Sequence, residues 1–373
     1  MTDREAPWKW RGRVALLGVA LAFVLYPLTP AIDVINSDWP AFATGARLIV
    51  QDPGRLYDLE VQSRVESQVT GGRVLVTLGI HGILPFLAPA WVAFFAVPFA
   101  LLGTDLGGRI WILAGLACLA AGLYLSIRRR PPSQVLAAFA SVPTALMMLN
   151  AQLDGFVVLG LGAAIALWSR PYFAGLALGL TLMKPQLVLP LGFALLATRR
   201  WKVLAGWVAA GVVLLASTAA LNPRWVFDWF VQTRSTVASG SREVDLPHLG
   251  VLFPDSLQTL ALAVLSLLAI GLVLLLARGR GFREAAAVVI AGGVVAAPHA
   301  LPADLVLVAL ALAVWARARW FDWLLLSVGA GIAALTPAPV PALAGVVTVG
   351  WVCLRASGSL TWRRLEPVSE SAR

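Results

Sequence analysis

Residues 257–277 read LQTLALAVLSLLAIGLVLLLA and contain no charged side chain. Crossing the ~30 Å hydrocarbon core of a bilayer takes about 20 apolar residues in a helix, which satisfies its own backbone polar groups where no water can. This run meets that length, and Arg278, Arg280 and Arg283 follow it immediately. The pairing of an apolar run with a basic flank recurs along the chain. Arg11 and Arg13 precede one run, and Arg128 to Arg130, Arg199 to Lys202, Arg317 and Arg319, and Arg363 and Arg364 stand beside others. Such clusters are the mark of cytoplasmic loops.

The whole composition agrees. Of 373 residues 59% are hydrophobic and 13% charged, against ~45–50% and ~25% in a soluble domain. A soluble enzyme, a disordered chain and a disulfide scaffold are excluded. The net charge of +10 would suggest nucleic acid in a soluble protein, but its placement between apolar runs assigns it to membrane topology instead. No nucleic-acid partner is expected. Cys118 and Cys353 both lie within apolar runs, which argues against a disulfide or a thiolate metal site.

The expected fold is all-α: a polytopic membrane protein with an even number of spans, 12 to 14, and both termini cytoplasmic. Residues 14–32 form the first run, read as a retained helix rather than a cleaved signal. Further runs lie near 83–102, 107–127, 134–149, 153–168, 171–198, 202–221, 284–298, 303–316, 321–335 and 339–355. Within 171–198, Met183-Lys184-Pro185 either kinks one long helix or separates two crossings. Residues 1–357 make one membrane domain with outer loops at 33–80 and 222–255, and 358–373 make a cytoplasmic tail.

An ionisable residue near the centre of an apolar helix costs ~2.5–3.5 kcal/mol on insertion scales, so each one needs a reason. Lys184 has apolar sequence on both sides; it either snorkels to an interface or faces a polar cavity beside Pro185. His299, in Pro298-His299-Ala300-Leu301-Pro302-Ala303-Asp304, either caps a helix or meets a phosphate or a proton. Asn150, Gln152 and Asp154 form another break, readable as a plain turn or a binding element. In the first outer loop Asp38 follows directly on the first helix, either as an N-cap or as a functional carboxylate. Phe42, Ala46 and Ile49, and then Val61, Val65 and Val69, trace two short amphipathic helices suited to the outer leaflet. Nucleotide-binding glycine loops and the signatures of soluble hydrolases are missing from the sequence.

The run Ser37-Asp38-Trp39-Pro40-Ala41-Phe42-Ala43-Thr44-Gly45-Ala46-Arg47-Leu48, followed by Gly54-Arg55-Leu56-Tyr57-Asp58, resembles the first outer loop of glycosyltransferase family 87 in the GT-C superfamily. Asn150-Ala151-Gln152-Leu153-Asp154 is similar to that family's Gly-Gln-x-Asn break, with alanine in place of the glycine. Ala174-Gly175 through Lys184-Pro185 to Arg199-Arg200-Trp201 is similar to a further family segment, and Pro298-His299 through Asp304 to a late one. The family's Tyr-Pro-Pro is replaced by Ile83-Leu84-Pro85-Phe86-Leu87-Ala88-Pro89.

The resemblance implies an inverting transferase that moves mannose from a polyprenyl phosphate to a lipid-linked or envelope-glycan acceptor on the outer face of a bacterial inner membrane. Membrane lipids, donor and acceptor are the expected partners, and neither cofactor nor metal is implied. Single displacement at an anomeric carbon needs a base for the acceptor hydroxyl and cations for the leaving phosphate. Asp38 is the expected base. Lys184, His299 and Arg55 are the expected phosphate ligands, and Tyr57, His81, Gln152 and Asp154 the expected substrate contacts. Two other readings remain open: a transporter or flippase of lipid-linked sugars, and a catalytically silent scaffold.

Overall fold

A computed structural model describes residues 34–73, 84–127, 133–238, 253–315 and 317–360. The first apolar run, the cluster Arg128 to Arg130, His81 and most of the tail lie outside the described residues. Among the described residues the regular structure is helical: α1 (Trp39–Gln51), α2 (Leu59–Thr70), α3 (Ala90–Ala100), α4 (Thr104–Ile127), α5 (Ser133–Phe139), α6 (Val142–Leu149), α7 (Asp154–Ala166), α8 (Pro171–Leu178), α9 (Leu189–Ala197), α10 (Trp201–Ala219), α11 (Trp225–Ala238), α12 (Asp255–Ala277), α13 (Phe282–Ala296), α14 (Val306–Trp315), α15 (Trp320–Leu335) and α16 (Val340–Ala356).

All ten residues of α14, VLVALALAVW, are buried, and α13, α15, α16 and the helices α4 to α7 surround it. A helix apolar on every side is stable only in such a place or in lipid. Glycine decides how closely its neighbours pack. A Cβ at Gly155 would strike the backbone of Gly115, and one at Gly162 the backbone of Gly122, so α7 lies directly against α4 along a glycine repeat of seven residues. Gly175 and Gly206 bring α8 against α10 in the same way.

Three helices, Thr104–Ile127, Trp201–Ala219 and Ser256–Ala277, are long and apolar enough to cross a membrane, and seven more are apolar but shorter. Many of the expected apolar segments are thus present among the described residues as helices shorter than a straight crossing. Proline is one reason. Pro185 disfavours the helical region at the preceding residue; Lys184 takes φ −136°, ψ 72°, and 171–197 becomes α8, two 3₁₀ turns (Gly179–Met183 and Pro185–Val188) and α9. Lipid-facing character is uneven. Half of the apolar stretch of α4 is buried within the protein, against 11% of that of α12, so α12 is the more exposed of the two.

The 33–80 loop departs from expectation. Nearly every side of α1 is buried, against α2, α3 and α4. It is a packed helix and does not rest on lipid by one face. Trp39 donates from its indole to the Thr104 carbonyl at 2.8 Å, and Ala41, Ala43, Thr44 and Gly45 are small enough to let neighbours close in on the other faces. In α2 the valine stripe, expected to face the outer leaflet, is directed into the protein, and Gln62 and Glu66 are buried beside it. The two polar loops meet: Asn222 donates to the Pro53 carbonyl at 3.1 Å and Trp229 to the Leu87 carbonyl at 2.7 Å.

The basic clusters gather at the far ends of the helices that begin at the polar breaks. Beyond the end of α7, Trp168 stacks on Phe282 and carries Arg200 over its ring. Trp315 at the end of α14 lies beneath Arg355, and Arg317 reaches Glu284 at 3.9 Å. The polar breaks and the basic ends are therefore separated by the lengths of α7 and α14.

Candidate active site

Three helical segments begin at one place, each with an aspartate. Asp38 precedes α1, Asp154 opens α7, and Asp304 lies in the 3₁₀ turn Pro302–Leu305 that leads into α14. The partial positive charge of a helix N-terminus favours a carboxylate by ~0.3–1 kcal/mol. Between the two later aspartates lies Lys184, held where Pro185 breaks the helix.

Asp38 occupies the N-cap position of α1 without capping it. Its backbone is helical (φ −75°, ψ −3°), and its side chain accepts no hydrogen bond from the first turn. Ser37 does that work, with Oγ accepting from the Trp39 amide at 3.2 Å. The Asp38 carboxylate is left for another purpose, and Gln152 donates to it from Nε2. The Asp38 amide donates to the Asn150 carbonyl at 3.1 Å, tying the 33–80 loop to the 150–154 break. Burial pushes the Asp38 carboxyl up to about 6, against the pull of the Lys184 charge, with His299 also within electrostatic reach.

The 150–154 break turns on Ala151, whose φ of +49° is in the left-handed region. That conformation costs an alanine roughly 1–2 kcal/mol relative to glycine. Trp111 donates from its indole to the Ala151 carbonyl at 2.9 Å and helps to hold the turn in place. As a result Gln152 faces Asp38 while Asp154 faces Lys184.

Lys184 Nζ donates to Asp154 Oδ2 at 3.0 Å and also to Asp304 Oδ1. All three side chains are buried. Asp304 Oδ2 accepts from the Leu301 amide at 2.7 Å, which closes the turn carrying His299. His299 itself is exposed. One set of side-chain contacts thus links the breaks at 150–154, 184 and 298–304.

The structure brings Asp38, Gln152, Asp154, Lys184 and the 298–304 turn together. Two other candidates are engaged elsewhere. Arg55 is exposed and pairs with Asp58 at 2.7 Å, and Asp58 caps α2 by accepting from the Glu60 and Val61 amides. Tyr57 is buried, with its hydroxyl donating to the Ala88 carbonyl at 2.9 Å. Asp304 is the residue that sequence reasoning passed over. It was visible as the end of the His299 motif, and the cost of an intramembrane lysine called for an anion, but nothing in the sequence joins positions 184 and 304.

A model of glycosyltransferase family 87 matches residues 86–302, more than half of the chain, from just after the 33–80 loop to the turn before α14. The match contains Gln152, Asp154, Lys184 and His299, whereas Asp38 and Asp304 lie outside it. No curated protein and no solved structure matches the chain. The chain belongs to glycosyltransferase family 87 and is a membrane glycosyltransferase.

Proposed function

We propose that this family 87 glycosyltransferase transfers a hexose, mannose by the resemblance, from a polyprenyl phosphate to a hydroxyl of a lipid-linked or glycan acceptor at the outer face of the cell membrane. The acceptor oxygen forms the new bond to the anomeric carbon. The bond from that carbon to the phosphate oxygen breaks, and the polyprenyl phosphate departs with the electron pair. Asp38 takes the proton from the acceptor hydroxyl. His299, exposed beside the site, is assigned to the phosphate. A displacement of this kind inverts the anomeric configuration.

The observation that carries the reading is the Asp38 carboxylate itself. It is half-buried at a helix start, is relieved of capping by Ser37, and is oriented by Gln152. A carboxylate raised to about 6 is charged at neutral pH yet basic enough to share a proton during bond formation. The large apolar surface around α12 supports a lipid-borne donor, whose tail can remain in the bilayer while its head enters the site.

The test uses the full chain in detergent or membranes with radiolabelled synthetic polyprenyl-phosphate mannose and a membrane glycolipid extract as acceptor. Transfer is expected from this donor and not from nucleotide-activated mannose. The reverse preference overturns the reading. Asp38→Asn lowers transfer by at least ~100-fold while the protein stays folded. The wild-type kcat/KM falls as pH drops below about 6, because the base is then protonated. Undiminished transfer by Asp38→Asn removes Asp38 from the role.

A further inference from the structure

We infer that Lys184 is a positioning residue, which latches the 150–154 and 298–304 breaks together beside Asp38 and leaves the donor phosphate to other groups; the inference rests on the base role proposed for Asp38. The sequence reading gives Lys184 a phosphate as its anion. In the structure the chain supplies the anions. Its ammonium has Asp154 at 3.0 Å and Asp304 as a second partner, and the whole side chain is buried.

Charge argues the same way. One ammonium against two carboxylates is never a net cation, whether or not one carboxyl carries a proton. Such a group does not attract an anionic diester, still less the dianion that leaves. What it does is fix geometry. Asp154 lies two residues from Gln152, which orients Asp38. Asp304 closes the turn that carries His299, through the Leu301 amide at 2.7 Å. Lys184 reaches across between the two. Gln152 is 114 residues from Asp38 in sequence and Asp304 is 120 from Lys184, so no local structure joins them.

The position of the latch follows from the chain. Pro185 keeps residue 184 out of the helical region, which projects the lysine from a backbone that has left its helix. The Leu182 carbonyl next to this break is taken by the Trp91 indole at 3.0 Å, which holds the backbone there. A lysine on such an anchored break can serve as a fixed strut.

The experiment measures kcat and donor KM with synthetic polyprenyl-phosphate mannose, using the full chain. Asp154→Asn breaks one ion pair and keeps Lys184 charged and paired with Asp304. The latch predicts a fall in kcat of about tenfold or more, with donor KM within about threefold of wild type, because only the alignment of Asp38 is disturbed. Phosphate binding by Lys184 predicts the opposite, a lower donor KM, since a competing anion has gone. Lys184→Met leaves two carboxylates unpaired and is expected to lose both fold and activity. The triple variant Lys184→Met, Asp154→Asn, Asp304→Asn removes all three charges and is expected to recover folding and at least about tenfold in activity over the single change, because removing a whole buried ion cluster costs less than breaking it. A raised donor KM in the triple variant, without recovery, overturns the inference, as does a lowered KM in Asp154→Asn. Asp38→Asn is assayed alongside. If that variant is fully active the base assignment fails by itself, while the donor KM values still decide whether Lys184 touches phosphate.

Discussion

The molecule contains two buried polar seams of different construction. At the site, ionised side chains hold one another: Lys184 with Asp154 and Asp304. Around residues 84–88, side chains hold backbone. Gln62 accepts from the Phe86 amide at 2.8 Å and donates to the Leu56 and Phe86 carbonyls, while Glu66 accepts from the Leu84 amide at 3.0 Å. Tyr57 and Trp229 take the carbonyls of Ala88 and Leu87. Pro85 and Pro89 keep this strap extended and out of any helix, so its amides and carbonyls must find partners elsewhere. The difference lies in how each seam fails. A strap held by several independent bonds loses ~0.5–1.5 kcal/mol for each one removed. An ion cluster loses far more when one member goes, because the remainder is left charged and buried.

The largest effect is therefore expected at the cluster. Asp304→Ala should destabilise the protein by about 3 kcal/mol, through a half-paired lysine and an orphaned Leu301 amide; thermal unfolding in detergent measures it. A loss under ~1 kcal/mol would show that water replaces the carboxylate freely and would erase the contrast. Gln62→Leu should cost about 1–3 kcal/mol by stranding Phe86 groups, and less if the strap can shift to find solvent.

A smaller effect separates the seams by pH. Burial pushes Glu66 up to about 7 from 4.5, so the folded protein holds this proton more tightly than the unfolded chain does. Its contribution to stability is complete below about pH 4.5 and is lost as pH rises through 7. Glu66→Gln should flatten the stability curve over that window, and an unchanged slope would assign the pH dependence elsewhere. The smallest effect concerns the turn at the site. Ala151→Gly relieves the left-handed alanine but loosens the unfolded chain, for a net gain of at most about 1 kcal/mol. A destabilised Ala151→Gly would mean that the methyl group packs usefully.

The polar residues of the site were legible because lipid makes them conspicuous. Gln152, Asp154 and Lys184 interrupt apolar sequence, where a charge needs a partner, and Asp38 stands just after the first apolar run. Which partner was not legible: Lys184 and Asp304 are brought together by the packing of α7, α14 and the broken 171–197 segment, and no periodicity encodes that meeting. The helical class was legible from 257–277 and its counterparts, but the span lengths were not. Hydropathy reads 171–198 as one apolar run, whereas Pro185 divides it, and an apolar run is the same to hydropathy whether lipid or protein covers it. The burial of Gln62 and Glu66 was not legible for the converse reason. Polar side chains on a loop helix look solvated, and only the neighbouring strap makes their burial worthwhile. The enclosure of α1 has a similar origin, since a single apolar face is what periodicity detects, while small residues on the other faces admit neighbours without any such signal.

The glycine seam between α4 and α7 limits what changes in length this protein can accept. Gly115 and Gly122 meet Gly155 and Gly162 backbone to backbone, at one spacing on both helices. Inserting one residue between the two glycines of either helix rotates everything beyond it by about 100°, so that a side chain arrives where only a hydrogen fits. Deletion does the same in the other sense. The two helices are locked in register, and insertions or deletions must fall in the connecting segments, such as the open turn at Gly279, where an added Cβ would meet nothing within 4 Å.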